Sequence, residues 1–404
     1  MRTRTIAPLL VLISTSCPQP TPPPPEPNPA PEPRFGERAR VLSWTSEEKR
    51  VGFGNMDRVF PTRTVSHTSS TPQPVYPLPV ALRDLSQVSV DGNSIADYRE
   101  RFKVAGMLVI KQGSIVYEHY AFGHTREKRW TLWSVAKSVV SMLVGAAIQD
   151  GYIRGLDARV TDYLPNLKGR AYDGVTIGQL MTMSSGVAWN ERYDDPNSDV
   201  SRMGSFRAQG EPALFRFLGD RPRAAEPGTR FNYNTGETHL VGSVVRAAVG
   251  NNLSDYLSRK IWSRFAMESD ASWMIDEKSG SENGGCCLNA TLRDYGRIGL
   301  FALRRGKLSD GTAIVPEGYL DQTTSPSAAY AGYGRLWWLH DVSYGARGIF
   351  GQHIHIYPAD DLVIVTNAFA DNAIASFDYS VRRRTHSASR GVVAGRLSVR
   401  RARR

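Results

Sequence analysis

The sequence predicts an α+β fold: an antiparallel sheet built from both chain ends, with flanking helices and an inserted helical region. Three observations predict it. Apolar runs at 104–110 and 114–120 flank Lys111-Gln112-Gly113 and read as a β-hairpin. Near the other end, 352–357 and 362–368 flank the turn Pro358-Ala359-Asp360-Asp361 in the same way, after a possible strand at 332–340. Between the two pairs lies a helical, loop-rich stretch at 151–300.

In chain order, Arg2 and Arg4 precede a short apolar run at 6–13 that ends in Ser14-Thr15-Ser16-Cys17. That is the build of a secretory signal peptide, with Cys17 as a lipidation site of the bacterial lipoprotein type. Residues 1–17 are therefore expected to direct export to the periplasm or cell envelope, with the mature chain lipid-anchored to a membrane. Residues 18–33 are dominated by proline and read as a stiff extended tether. Residues 34–103 read as an N-terminal wrapping segment, with a short helix at 94–102. The main folded body is expected at 104–370, and 371–404 holds a short helix and an arginine-rich tail.

The formal charge of +11 suggests an anionic partner, but its distribution argues against one. Nine arginines follow Asp378 with no acid among them. Without these and Arg2 and Arg4 the chain is electrically balanced, so no nucleic-acid partner is expected. Three cysteines are too few for a disulfide framework, and the neighbours Cys286 and Cys287 are expected as two packed thiols. His353 and His355 share one face of a strand, but no third ligand of suitable spacing is visible, so no metal site and no cofactor are expected.

The chemistry centres on Trp133-Ser134-Val135-Ala136-Lys137. Positions i and i+3 of a helix share one face, which puts the Ser134 hydroxyl within reach of the Lys137 amine. A serine hydroxyl needs an adjacent base to become a nucleophile. Lysine can be that base only if its pKa falls, and burial lowers it. The apolar residues from Val135 to Ile148 go nearly all round the helix, which predicts burial. Gly-x-Ser-x-Gly and His-Glu-x-x-His are both absent, which argues against α/β-hydrolase and zincin chemistry.

On these residues the chain resembles the serine β-lactamase-like hydrolases, which include class C β-lactamases, penicillin-binding proteins, esterases and D-aminopeptidases. Trp133 to Ser138 matches the nucleophile motif. Phe231-Asn232-Tyr233-Asn234-Thr235 is similar to the second motif, with Thr235 where asparagine is usual. Gly348-Ile349-Phe350-Gly351-Gln352 lies where Lys-Thr-Gly would run, and that tripeptide is absent. Within the family the sequence looks most like the 6-aminohexanoate-dimer hydrolase and esterase branch, on Ser184 to Trp189, Glu191 to Pro196 and Gly351-Gln352.

The resemblance implies a β-lactamase/transpeptidase-like fold and an acyl-enzyme on Ser134. Lys137 and Tyr233 would transfer protons, and the amides of Ser134 and Ile349 would hold the oxyanion. Trp189, Tyr193, Asp194 and Arg347 are candidate substrate contacts, the substrate being a small ester or amide. The alternatives are a catalytically idle, membrane-tethered binding or scaffold lipoprotein on the same fold, or a true β-lactamase or D-aminopeptidase. Oligomeric state stays open. The family usually closes with a long helix on the sheet, and the short 371–380 segment predicts one exposed sheet face.

Overall fold

The computed structural model describes residues 35–69, 77–85, 88–90 and 93–374. Cys17, the proline-rich stretch and the arginine-rich tail lie outside the described residues. The expected hairpins form, at Val104–Lys111 with Ser114–Tyr120 and at Gln352–Tyr357 with Leu362–Ala368. The six strands of the main sheet pair in the order Ser114–Tyr120, Val104–Lys111, Leu362–Ala368, Gln352–Tyr357, Ser343–Gly348 and Trp338–His340. Each pairing is antiparallel, and Leu362–Ala368 against Val104–Lys111 joins the two ends of the chain. The strand expected at 332–340 is confined to Trp338–His340.

The sheet is apolar on both faces because both are covered. Leu108, Ile110, Ile354, Ile356, Val363 and Val365 point into the main core. The helix Leu292–Leu303 lies on this face, and glycine permits the close approach. A Cβ on Gly296 would come 2.6 Å from Leu108, and one on Gly299 would overlap Val363. The alternate residues Met107, Val109, Leu362 and Ile364 point to the other face.

That second face is not exposed, contrary to the expectation from the short C-terminal segment. Leu85, Val88, Ile95, Tyr98 and Phe102 of the wrapping segment pack on it. The helix there, Ile95–Arg101, starts at a capping box in which Ser94 and Asp97 bond each other's backbone amides. Among the described residues, these five side chains of the N-terminal segment are the cover on this face.

The stretch 151–300 is not purely helical. It contributes Ala271–Met274 and Leu288–Ala290 to a second sheet, ordered Thr62–Val65, Ala271–Met274, Leu288–Ala290, Trp130–Thr131. These strands are three or four residues long, too short for their alternation to stand out in sequence. Cys286 and Cys287, just before the third of them, are joined to each other as a disulfide rather than packed as thiols. Cys287 there has a left-handed backbone, φ +71°, a local turn that the sequence does not announce.

Candidate active site

Ser134 does not sit on the helix itself. It occupies a 3-10 turn, Trp133–Val135, that leads into the helix Ala136–Gln149. Trp133 before it has φ +48°, a conformation uncommon outside glycine. The turn is held by Val135 N–H donating to Leu132 O at 3.1 Å and Cys287 N–H donating to Trp133 O at 3.2 Å. Phe53 and Phe350 pack against the Trp133 ring, with centroids 5.4 and 5.8 Å away.

The i, i+3 relation still delivers the contact. Lys137 Nζ lies 3.0 Å from Ser134 Oγ, 3.0 Å from Thr235 Oγ1 and 2.7 Å from Gly285 O. Lys137 is 1% exposed, and every residue from Ala136 to Ala147 is buried. Burial pulls its amine down to about 8, and the charge of Glu191 acts in the opposite direction.

Tyr233 stands just before the N-cap of the helix Thr235–Val249. Asn234 is that cap, with Oδ1 accepting from Glu237 N–H at 3.1 Å. The Tyr233 ring centroid is 5.2 Å from Lys137 Nζ, and Trp338 stacks on the ring at 5.5 Å. Burial and then the charge of Glu191 push the phenol well above its ordinary value, while a hydrogen bond with Ser134 and the charge of Arg347 lower it.

Gly348 ends its strand against the Ser134 turn, where a Cβ would overlap the Leu132 carbonyl. Ile349 follows at once, buried at 3% exposure, in a turn where Phe350 has φ +59°. The close approach at Gly348 therefore brings the Ile349 amide beside the Ser134 segment. Arg347, two residues earlier, is 8% exposed; its Nη2 donates to His340 Nε2 at 2.7 Å, and its guanidinium lies 5.3 Å over the Trp338 ring. Burial, then the charge of Arg347, pulls His340 down to about 4, which leaves it a neutral acceptor.

The loop after Gly186 brings in a residue that the sequence did not single out for the site. Glu191 Oε2 accepts from Thr235 N–H at 3.0 Å and from the Trp189 indole. Its Oε1 accepts from the Thr235 hydroxyl and, at 2.8 Å, from Tyr193 OH. Trp189 and Tyr193 thus reach the site through Glu191. Asp194 does not: its side chain is 77% exposed and pairs with Arg192 at 3.3 Å. Glu191, Thr235 and the Gly285 carbonyl were missed because a carboxylate in an acidic loop, a departure from a motif and a backbone oxygen carry no catalytic signature. Behind them, Glu237 is fully buried and accepts from Ser185 Oγ and Asn234 Nδ2, and burial lifts its carboxyl to about 8.

A cleft of about 770 Å³ lined by Thr182, Ser184, Tyr319 and Arg335 contains none of Ser134, Lys137 and Tyr233. Among the described residues no group of three or more potential ligands could hold a metal ion.

The paired hydroxyl and amine, with a tyrosine beside them between flanking helices and a sheet, define a class, and comparison with known proteins agrees. The family described as Beta-lactamase matches residues 93–379, and the chain belongs to that family. The 6-aminohexanoate-dimer hydrolase of Paenarthrobacter ureafaciens is 28% identical over 348 residues, spanning 80% of this chain and 86% of that protein. A Bacillus anthracis structure provisionally ascribed the same activity superposes with a TM-score of 0.76 at 22% identity, covering 86% of this chain and 95% of the other. A penicillin-binding protein from Bacillus halodurans gives 0.55 at 18% identity, covering 70% and 98%. These two likenesses establish the β-lactamase/transpeptidase-like fold.

Proposed function

We propose that the chain is a serine hydrolase that cleaves small esters or amides through an acyl-enzyme on Ser134. The observation that carries this reading is the 3.0 Å contact between Lys137 Nζ and Ser134 Oγ at the start of a buried helix. Ser134 Oγ bonds to the substrate carbonyl carbon while its proton passes to Lys137. The carbonyl oxygen becomes an oxyanion, for which the amides of Ser134 and Ile349 are the donors; such a preorganised donor typically contributes about 3 kcal/mol. The oxyanion collapses as the carbon's bond to the leaving oxygen or nitrogen breaks; Tyr233, kept as a phenol by burial, gives its proton to that atom and takes the serine proton from Lys137. Water then bonds to the acyl carbon while its proton passes to Lys137; the bond from that carbon to Ser134 Oγ breaks, and Lys137 returns the proton to Ser134 as the acid is released.

The short-ester and amide preference rests on the missing Lys-Thr-Gly and on the likeness to 6-aminohexanoate-dimer hydrolase. Export and anchoring through Cys17 rest on the N-terminal sequence. The test is a pair of measurements on purified protein. A fluorophosphonate probe should label the parent chain at Ser134. Ser134→Ala should keep the parent melting temperature while losing labelling and p-nitrophenyl ester hydrolysis. Appreciable hydrolysis by well-folded Ser134→Ala would overturn the proposal, and so would a parent chain that does not label, which is the outcome for an idle scaffold.

A further inference from the structure

We infer that Glu191, acting through the Thr235 hydroxyl, fixes which way Lys137 faces, so that its lone pair is aimed at Ser134. The inference rests on the serine-hydrolase reading and assigns a positioning residue to that site. It follows from counting protons. As a carboxylate Glu191 can only accept, and its partners are the Thr235 amide, the Trp189 indole, the Thr235 hydroxyl and the Tyr193 hydroxyl. Thr235 has one hydroxyl proton and gives it to Glu191. Toward Lys137 Nζ, 3.0 Å away, Thr235 Oγ1 can therefore only accept. The Gly285 carbonyl, 2.7 Å from Nζ on another side, can likewise only accept. A neutral lysine amine has two N–H groups and one lone pair. The two N–H groups are taken by Thr235 and Gly285, and the lone pair is left for the third neighbour, Ser134 O–H at 3.0 Å.

Without Glu191 the Thr235 proton is free to turn toward the Lys137 lone pair and occupy it. The base would then be present but aimed at the wrong neighbour. The departure from the family's usual asparagine is resolved the same way: threonine supplies the acceptor only because a carboxylate takes its proton. The groups facing Lys137 are Ser134 from its own segment, Tyr233 and Thr235 from the helix start, and Gly285 from the loop. The charged or titratable groups beyond them are Glu191 and Tyr193 in the loop, Glu237 in the first helical turn and Arg347 past Tyr233.

The test uses the rate of fluorophosphonate labelling against pH, which needs no knowledge of the natural substrate. In that reaction Ser134 Oγ bonds to phosphorus, fluoride leaves, and Lys137 takes the serine proton. Glu191→Gln should label roughly tenfold or more slowly than the parent, because proton transfer to the base is misdirected. Its rate should also rise at lower pH than the parent's, because the negative charge that raises the Lys137 pKa is gone. Thr235→Ser, which keeps the hydroxyl, should stay within about threefold of the parent, and Thr235→Val should fall with Glu191→Gln. If Glu191→Gln labels at the parent rate with an unmoved pH profile, the inference is wrong. If Glu191→Gln does not fold, the threonine pair decides: Thr235→Ser as slow as Thr235→Val overturns it. A parent chain that does not label at Ser134 is the separate failure of the serine-hydrolase reading.

Discussion

The Lys49 ammonium lies 4.2 Å from the ring centroid of Phe350, and so ties the N-terminal segment to the turn that presents Ile349. Lys49 belongs to the helix Ser46–Gly52, is 3% exposed, and donates to Ala370 O at 3.3 Å and Asp371 O at 2.6 Å. Phe350 in turn donates its N–H to Ala373 O and accepts from Ala370 N–H. Lys49→Met should therefore cost about 1–3 kcal/mol, because carbonyls held by a charged donor lose their partner. It should also lower kcat for ester hydrolysis with little change in KM, since the displaced amide would serve the transition state. Urea melts and steady-state kinetics on one preparation check both. An unchanged kcat would mean that the wrapping segment stabilises the sheet without shaping the oxyanion site.

Lys137 predicts two pH dependences. Its pKa of about 8 puts the acid limb of kcat/KM there, with activity rising as the amine loses its proton. For stability the sign is opposite to that of an ion-paired lysine. The folded pKa lies below the unfolded one, so the buried ammonium is a burden carried in full below about pH 8. The burden is lifted as pH rises toward the ordinary lysine value of 10.5. Lys137→Met has no such burden. Its stability relative to the parent should fall by about 3 kcal/mol between those two pH values. Denaturant melts at a series of pH values measure this, and parallel stability curves would contradict it.

Arg347 bears on the substrate class. It is buried behind the Tyr233–Trp338 stack and bonded to His340, so its charge is held within the wall. A short p-nitrophenyl ester should then exceed a chromogenic cephalosporin in kcat/KM by roughly a hundredfold or more, equivalent to about 3 kcal/mol of transition-state stabilisation. A cephalosporin turned over as well as the ester, and lost with Arg347→Ala, would identify Arg347 as a carboxylate anchor.

Cys17 carries the proposed anchor. Fractionation of cells expressing Cys17→Ala should move the enzyme from the membrane pellet to the soluble fraction with its activity per molecule unchanged. No helix among the described residues is long and apolar enough to cross a membrane. A variant that stays in the pellet would therefore point away from the lipid.

The sequence by itself determined the sheet hairpins, the buried helix after Ser134 and the Ser134–Lys137 pairing. Each is a local pattern: strand alternation, all-round apolarity and i, i+3 spacing are set by backbone geometry within a few residues. The short strands of the second sheet escaped because two to four residues carry too little periodicity. The cover on the outer sheet face escaped because Leu85, Val88, Ile95, Tyr98 and Phe102 have no reason to be placed there until the sheet exists. In the site, only the tertiary structure decided that Thr235 is an acceptor, that Glu191 takes its proton and that Gly285 O completes the cage round Lys137. Those groups come from three separated segments, and their roles depend on which proton faces which lone pair at about 3 Å, a relation that no linear spacing encodes.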